Sequence, residues 1–226
     1  MPSLTSPNLS KPLSESTDIL RYLDNLRNNA SLVPTEEATK QRGQAIIDLV
    51  HSADVDTNVI LLQARDEEEL LKRISDMGSF MSNRQKRLEA EHAADPSHPF
   101  YKPKMTENGA VHKFYSEVGP QHREFFDATH HGYQRFAKGM EKLEELLVLP
   151  YATGVDVTEA DFHVVPWLSH AMMAAGTVKT EIQNLSTLET EIQKSVPEFN
   201  IGPKTKEWWF NISSTASFKQ VFRVLH

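Results

Sequence analysis

Leu149-Pro-Tyr-Ala-Thr-Gly-Val-Asp-Val-Thr-Glu-Ala-Asp-Phe-His-Val-Val-Pro-Trp-Leu168 carries the signature of a strongly specified helix start. Thr158 can cap a helix, and Asp161, three residues on, can return a carboxylate to the cap's own N–H. That is a capping box with Asp in the Glu/Gln place. Val157 before the cap and Phe162 at the fourth helical position have the spacing of a hydrophobic staple. Glu159 and Asp161 sit in the first turn, where the helix dipole favours negative charge. Each device contributes roughly 0.5–2 kcal/mol. Val164, Val165, Trp167 and Leu168 then make the helix apolar on most sides, as a buried central helix is.

Working outward, the whole chain of 226 residues suits one large domain or two small ones. It is 39% hydrophobic and 24% charged, the balance of an ordinary globular protein. No apolar run approaches the roughly 20 residues a membrane span needs. No basic region precedes an apolar one at the N-terminus, so no signal peptide is expected, and the expected compartment is cytoplasmic. The chain has 0 cysteines, which excludes disulfides, Cys-ligated zinc and a Cys nucleophile. Any thiol chemistry must come from a ligand. The net charge of −7 argues against nucleic acid as a main partner.

Upstream, residues 1–17 are polar and rich in Pro and Ser. Ser16 or Thr17 can cap a helix over residues 18–26, with Ile19, Tyr22, Leu23 and Leu26 on one face. Residues 27–35 read as a linker ending in Thr35, a candidate N-cap. Ala38, Ile46, Ile47, Leu49 and Val50 follow at helical spacing, then Val55, Val59, Leu61 and Leu62. Arg65-Asp-Glu-Glu-Glu-Leu opens a further helix that runs to about Ala94, with a Met and Phe stripe that reads as core. Residues 92–112, broken by Pro and Gly, read as a long loop holding His92, Asp95, His98 and His112. Their spacing matches no ligand motif, so no metal is expected. Residues 118–148 form a long helix whose His130-His131 pair diverges by about 100°, one histidine on the surface and one partly buried. Downstream of the capped helix, residues 180–195 carry Ile182, Leu185, Leu188 and Ile192 on one stripe.

Three separated motifs resemble the glutathione S-transferase (GST) family. The first is the Pro-Tyr-Ala-x-Gly turn with Thr-x-Ala-Asp opening an apolar Pro-Trp helix, similar to the capped core helix of the GST helical domain. The second, Pro12-Leu-Ser-Glu-Ser-Thr-Asp-Ile-Leu-Arg-Tyr-Leu23, resembles the end of the GST thioredoxin-like domain. The third, Asn200 to Phe222, resembles the closing segment, with Trp, an Ile four residues on, a small-residue turn and Phe-Lys-x-Val. His98 to Gly109 also looks like a loop of fungal members. The resemblance implies a mainly α fold: a GST-type helical bundle over residues 28–226, with a thioredoxin-like remnant of at most two short strands and one helix over 1–27. It implies that Glu15 and Ser16 hold the γ-glutamyl end of glutathione, and that Met1-Pro2 occupies the family's cis-proline position beside the cysteinyl part. Thr158 and Asp161 are carried over as the structural helix cap. The family's elements before that proline, and the side chain that activates the thiol, have no counterpart here, so no catalytic residue is assigned.

The resemblance further implies a glutathione-dependent enzyme acting on a hydrophobic conjugated substrate. Conjugation and cis–trans isomerisation by reversible thiolate addition share their first step, and a fungal secondary-metabolite role is the expected setting. A free thiol near its ordinary pKa is still a few per cent thiolate at neutral pH. Loss of the activating residue therefore costs about one to two powers of ten rather than all activity. The competing expectation is a catalytically inactive GST-like interaction module; in either case a homodimer is expected, with a partner protein as the other way to cover residues 1–17.

Overall fold

The computed structural model describes residues 3–27, 31–116, 118–178 and 181–222. Met1 and Pro2, assigned above to glutathione, lie outside them. The architecture is mainly helical: ten α-helices and two short 3₁₀ turns, with only isolated β-bridges among the described residues. The chain divides into two units, each built from discontinuous segments.

The first unit takes residues up to Ser52, Glu141–Ser169 and those from Ile201 on. It holds α1 (Ser16–Asn25), α2 (Glu37–Val50), the first part of α7 (Glu159–Ala174), α9 (Pro203–Ser213) and α10 (Ala216–Val221). Its buried side chains include Ile46, Leu143, Leu147, Val164, Leu168, Trp208 and Trp209. α1 begins with Glu15, not Ser16 or Thr17, at the N-cap position. α2 is capped by Glu36, whose carboxylate accepts the Thr39 N–H at 2.9 Å, rather than by Thr35. α9 starts with Pro203 at its first position, where a missing N–H costs nothing. Its next two N–H groups, of Lys204 and Thr205, donate to the Glu144 carboxylate at 2.9 and 2.8 Å.

α7 begins with the Asp161 half of the expected box, while the Asp161 N–H goes to the Thr158 carbonyl at 3.1 Å rather than to its hydroxyl. The Asp161 carboxylate accepts the Thr158 N–H at 2.9 Å. Val157 and Phe162 do not close into a buried staple: Phe162 is 48% exposed, and both line an apolar groove. Pro166 stands inside the helix on the same groove wall. Its ring cannot donate to the Phe162 carbonyl one turn back. The Leu149–Pro150 peptide is cis.

The second unit takes Ala53–Met140 and His170–Asn200. It contains α3 (Asn58–Leu62), α4 (Glu67–Ala94), α5 (Tyr101–Ser116), most of α6 (Arg123–Leu146) and α8 (Ser186–Gln193). α4 is capped by Asp66, which accepts the Glu69 N–H at 2.8 Å. α7 ends here in a Schellman turn: Thr177 N–H reaches the Met172 carbonyl and Gly176 N–H the Met173 carbonyl, both at 2.9 Å. Gly176 has φ +97°, a conformation open to glycine and strained for other residues.

α5 corrects the expectation of a long loop. Pro103 falls in its first turn, where the helix needs no N–H donor. Gly109 in the middle costs about 1 kcal/mol of propensity. Docking on α4 offsets that cost. Asn108, buried, donates to the Met81 carbonyl and to Gln85, and Tyr115 donates to the Leu62 carbonyl at 2.7 Å. Val111 and Phe114 join a cluster around Leu70, Met81 and Tyr115. Burial pushes the Tyr115 hydroxyl up to about 12. The apolar period was present in Met105, Val111, Phe114 and Tyr115, but Pro103 and Gly109 mask it.

Candidate functional site

The N-terminal segment carries the residues assigned to glutathione. Leu4 and Leu13 pair antiparallel, each N–H donating to the other's carbonyl, at 2.8 and 2.9 Å. Tyr22 donates to Ser6 Oγ at 2.8 Å, tying α1 to the loop between those two residues. The chain then enters α1 at Glu15 and Ser16, both exposed. The first backbone bond of the helix runs from Ile19 N–H to the Glu15 carbonyl. The Glu15 side chain makes no capping bond. The opening N–H groups of the helix are the favourable end of its dipole for an anion, and the Glu15 carboxylate lies next to them. A carboxylate and an ammonium on one ligand fit that pair. At its other end, α1 is held by Asp24, which accepts from Ser31 Oγ and the Leu32 N–H at 2.8 and 2.9 Å.

A cavity of about 280 Å³ opens beside α1, lined by Arg21, Pro34, Lys40, Gly43, Thr158 and Glu159 among others. Arg21 Nε donates to Glu159 Oε1 at 2.9 Å. Behind Glu159 lies His163, one helical turn on and almost fully buried, with its Nε2 3.9 Å from Glu159 Oε1. The His163 Nδ1 shares a proton with the exposed His51 at 2.8 Å, and the rings meet edge to face. Burial lowers the His163 pKa from its ordinary value; His51 and Arg21 add to that, and Glu159 opposes it.

The apolar groove, of about 320 Å³, is walled by Phe162, Val165, Pro166, Ile212, Phe218 and Phe222. Phe218 and Phe222 stack at 4.4 Å. Neither Glu15 nor Ser16 lines the cavity or the groove.

Thr158 and Asp161 bond to each other at the start of α7, and Asp161 reaches further. Only 1% exposed, it accepts four hydrogen bonds: from the Thr158 N–H and hydroxyl on Oδ2, and from the Ala152 N–H and Trp208 Nε1 on Oδ1. One carboxylate thereby ties the 148–153 turn, α7 and α9 together.

The second unit has its own buried ionic centre. Arg65, 5% exposed, donates to Glu69, to the Glu191 carbonyl and to Glu191 Oε1, and lies 4.4 Å over the Tyr133 ring. Glu191 also accepts from the Tyr133 hydroxyl at 3.0 Å and from Lys194 at 2.7 Å. Burial works against the Glu191 carboxylate, but the bonds from Lys194 and the Arg65 charge hold its pKa below the usual range. Burial, with Glu191 beside it, raises the Tyr133 hydroxyl. Every charge is paired, which marks a tie between helices rather than a reactive site.

His130 is half-buried against Ser195 Oγ at 3.0 Å, and His131 is exposed beside Gln134. Asp95 turns back on Ser97 rather than joining the nearby histidines. Among the described residues no three of His, Asp and Glu gather in a metal-holding group. No helix among them is long and apolar enough to cross a membrane. Sequence reasoning missed Arg21, His51 and His163. Arg21 sits in the middle of the Ile-x-x-Tyr-Leu helix signature, and His163 directly follows the cap, but their partners lie 138 and 112 residues away.

No protein-family model, curated protein or solved structure matches this chain.

Proposed function

We propose that this is a GST-type helical protein that binds glutathione at the start of α1 and acts on an apolar conjugated substrate, as a transferase or an isomerase. The supporting observation is the Leu4–Leu13 pair running into α1, because that path leaves Glu15 and Ser16 exposed together at a helix N-terminus. Bound glutathione would supply the thiolate that adds to a conjugated double bond. The protein's part is to hold its γ-glutamyl end: the first N–H groups of α1 take the carboxylate and Glu15 takes the ammonium. Met1-Pro2 is assigned the backbone contact with the cysteinyl part. The Thr158–Asp161 cap and the Asn200–Phe222 segment support the family part of the reading through their sequence. A cytoplasmic homodimer completes it, with light scattering as its check.

Calorimetric titration of the full chain with reduced glutathione tests the proposal. Saturable binding is expected in the micromolar to millimolar range, weakened about tenfold by Glu15→Ala, the loss of one charge-assisted contact. An unchanged dissociation constant in that variant removes the site. A second reading, a non-catalytic interaction module, is favoured by the open apolar groove, where Val221 is 74% exposed. It is the reading that survives if glutathione does not bind at all.

A further inference from the structure

We propose that the cavity between α1, α2 and the start of α7 is a binding site for a small monocarboxylate, and that filling it draws a proton onto His163. This does not rest on the glutathione reading, since the cavity uses the side of α1 bearing Arg21 and not its N-terminus.

Charge selects the ligand class. Arg21, Lys40 and Glu159 are the ionised groups on the cavity wall. Arg21 and Glu159 neutralise each other through the 2.9 Å bond, and Lys40, exposed at the rim, forms no ion pair among the described residues. The wall is therefore short of one negative charge. A monocarboxylate supplies one; a phosphate dianion brings too many against the buried Glu159. Val33, Pro34, Ile47 and Ala160 give the wall apolar surface beside Gln44 and Thr158, which suits a short hydrocarbon body behind the carboxylate. Two of the N–H groups at the start of α7 are already engaged by the protein. Thr158 N–H is held by Asp161, and Glu159 N–H by the Leu32 carbonyl at 3.0 Å.

His163 supplies the second, independent sign. Its Nε2 is buried with no hydrogen-bond partner. An orphaned ring nitrogen at such depth is destabilising, and Glu159 Oε1 lies 3.9 Å from it. Glu159 is held off by Arg21. The groups facing His163 are His51 from the end of α2, Glu159 on its own helix and Arg21 from α1. A carboxylate that engages the Arg21 guanidinium competes with Glu159 for it. Glu159 is then free to accept from His163 Nε2, and the imidazole gains a proton relayed through the exposed His51.

The test is calorimetric titration of the full chain with sodium butyrate at about pH 6 and about pH 8, either side of the ordinary histidine value. Each is run in two buffers of different ionisation enthalpy, with inorganic phosphate at the higher pH, where it is the dianion, as the contrast. Saturable butyrate binding is expected, with a heat that depends on the buffer at the lower pH only. Arg21→Met and Lys40→Met should each weaken it roughly tenfold, the loss of one charge-assisted contact. Lys40 is exposed, so its variant is free of folding effects. His163→Asn should bind butyrate and lose the buffer dependence. Glu15→Ala should bind as the parent does, which separates this site from the glutathione one. The absence of saturable heat, or unchanged affinity in Lys40→Met, overturns the site. Phosphate binding as tightly as butyrate overturns the ligand class, and a buffer-independent heat at the lower pH overturns the proton coupling.

Discussion

In each unit of this protein a buried ion ties helices together, and the two ions, Asp161 and Arg65, are built in opposite ways. Asp161 draws its donors from a turn and a cap within nine residues of itself, plus the single long reach from Trp208. Arg65 meets Glu69 four residues on, but its main anchor, Glu191, is 126 residues away. Asp161 answers N–H and O–H dipoles with a charge and has no counter-ion in contact among the described residues. Arg65 answers charge with charge. A lone buried carboxylate is tolerable only when hydrogen bonds saturate it, and four do so here. A buried guanidinium is tolerable only while its carboxylates stay ionised. The first tie depends on geometry and the second on neutrality.

That contrast is broken most directly by Asp161→Ala. The substitution strands the Thr158 and Ala152 N–H groups and the Trp208 indole inside the first unit. Unsatisfied buried donors cost about 1–3 kcal/mol each, with partial relaxation between them. A loss of about 4 kcal/mol is expected in denaturant unfolding. Asp161→Asn keeps an acceptor for Oδ1's two donors but turns an amide N–H₂ toward Thr158, and should cost about half as much. If the alanine variant unfolds at the parent's midpoint, Asp161 is not the tie its contacts describe.

Arg65→Met is the matching experiment in the second unit. Glu191 then stays buried with Lys194 as its remaining cation, and a loss of about 3 kcal/mol is expected. The contrast sharpens in the double variant Arg65→Met, Glu191→Met. Removing both charges should restore part of the loss, because paired buried charges are replaceable by apolar volume. No such rescue exists for Asp161, whose partners are backbone and indole N–H groups. A double variant less stable than Arg65→Met alone would show that Glu191 is not stranded by the loss of Arg65, its bonds from Tyr133 and Lys194 sufficing to hold it.

The same contrast governs what the sequence could reveal. The Thr158–Asp161 cap was legible because its partners are three residues apart, within one turn. The helical class was legible too, and so were the approximate extents of α2, α4 and α6, from their apolar period. α5 was hidden because Pro103 and Gly109 punctuate it, although neither interrupts a bond the helix needs. The Val157–Phe162 pair had the spacing of a staple, but the groove beside it leaves Phe162 in solvent. The Arg65 centre and the His51–His163 contact were not legible at all. Nothing local fixes a partner more than a hundred residues away, and a lone Arg or His has no period to betray it. Glu15 and Ser16 stood out only by resemblance to a known motif. Their exposure is in the structure.

The smallest expected effect comes from His163, where geometry and charge meet in one side chain. Burial, with His51 and Arg21 beside it, lowers the His163 pKa in the folded protein. The unfolded chain takes up that proton near the ordinary value, about 6.5. Below that point the unfolded state binds more protons than the folded one, so stability falls with pH. The contribution is complete above about pH 6.5 and is lost as pH drops toward the lower folded value. His170 shares the direction, because its burial also disfavours the charged ring, with Asp56 opposing. Denaturant midpoints across about pH 5 to 8 should therefore slope downward on the acid side, and His163→Asn should flatten part of that slope while His170 keeps the rest. An equal slope in parent and variant would mean that His163 is charged in the folded protein. The orphaned Nε2 would then already be a donor to Glu159, and the 3.9 Å gap between them would have to close without any ligand.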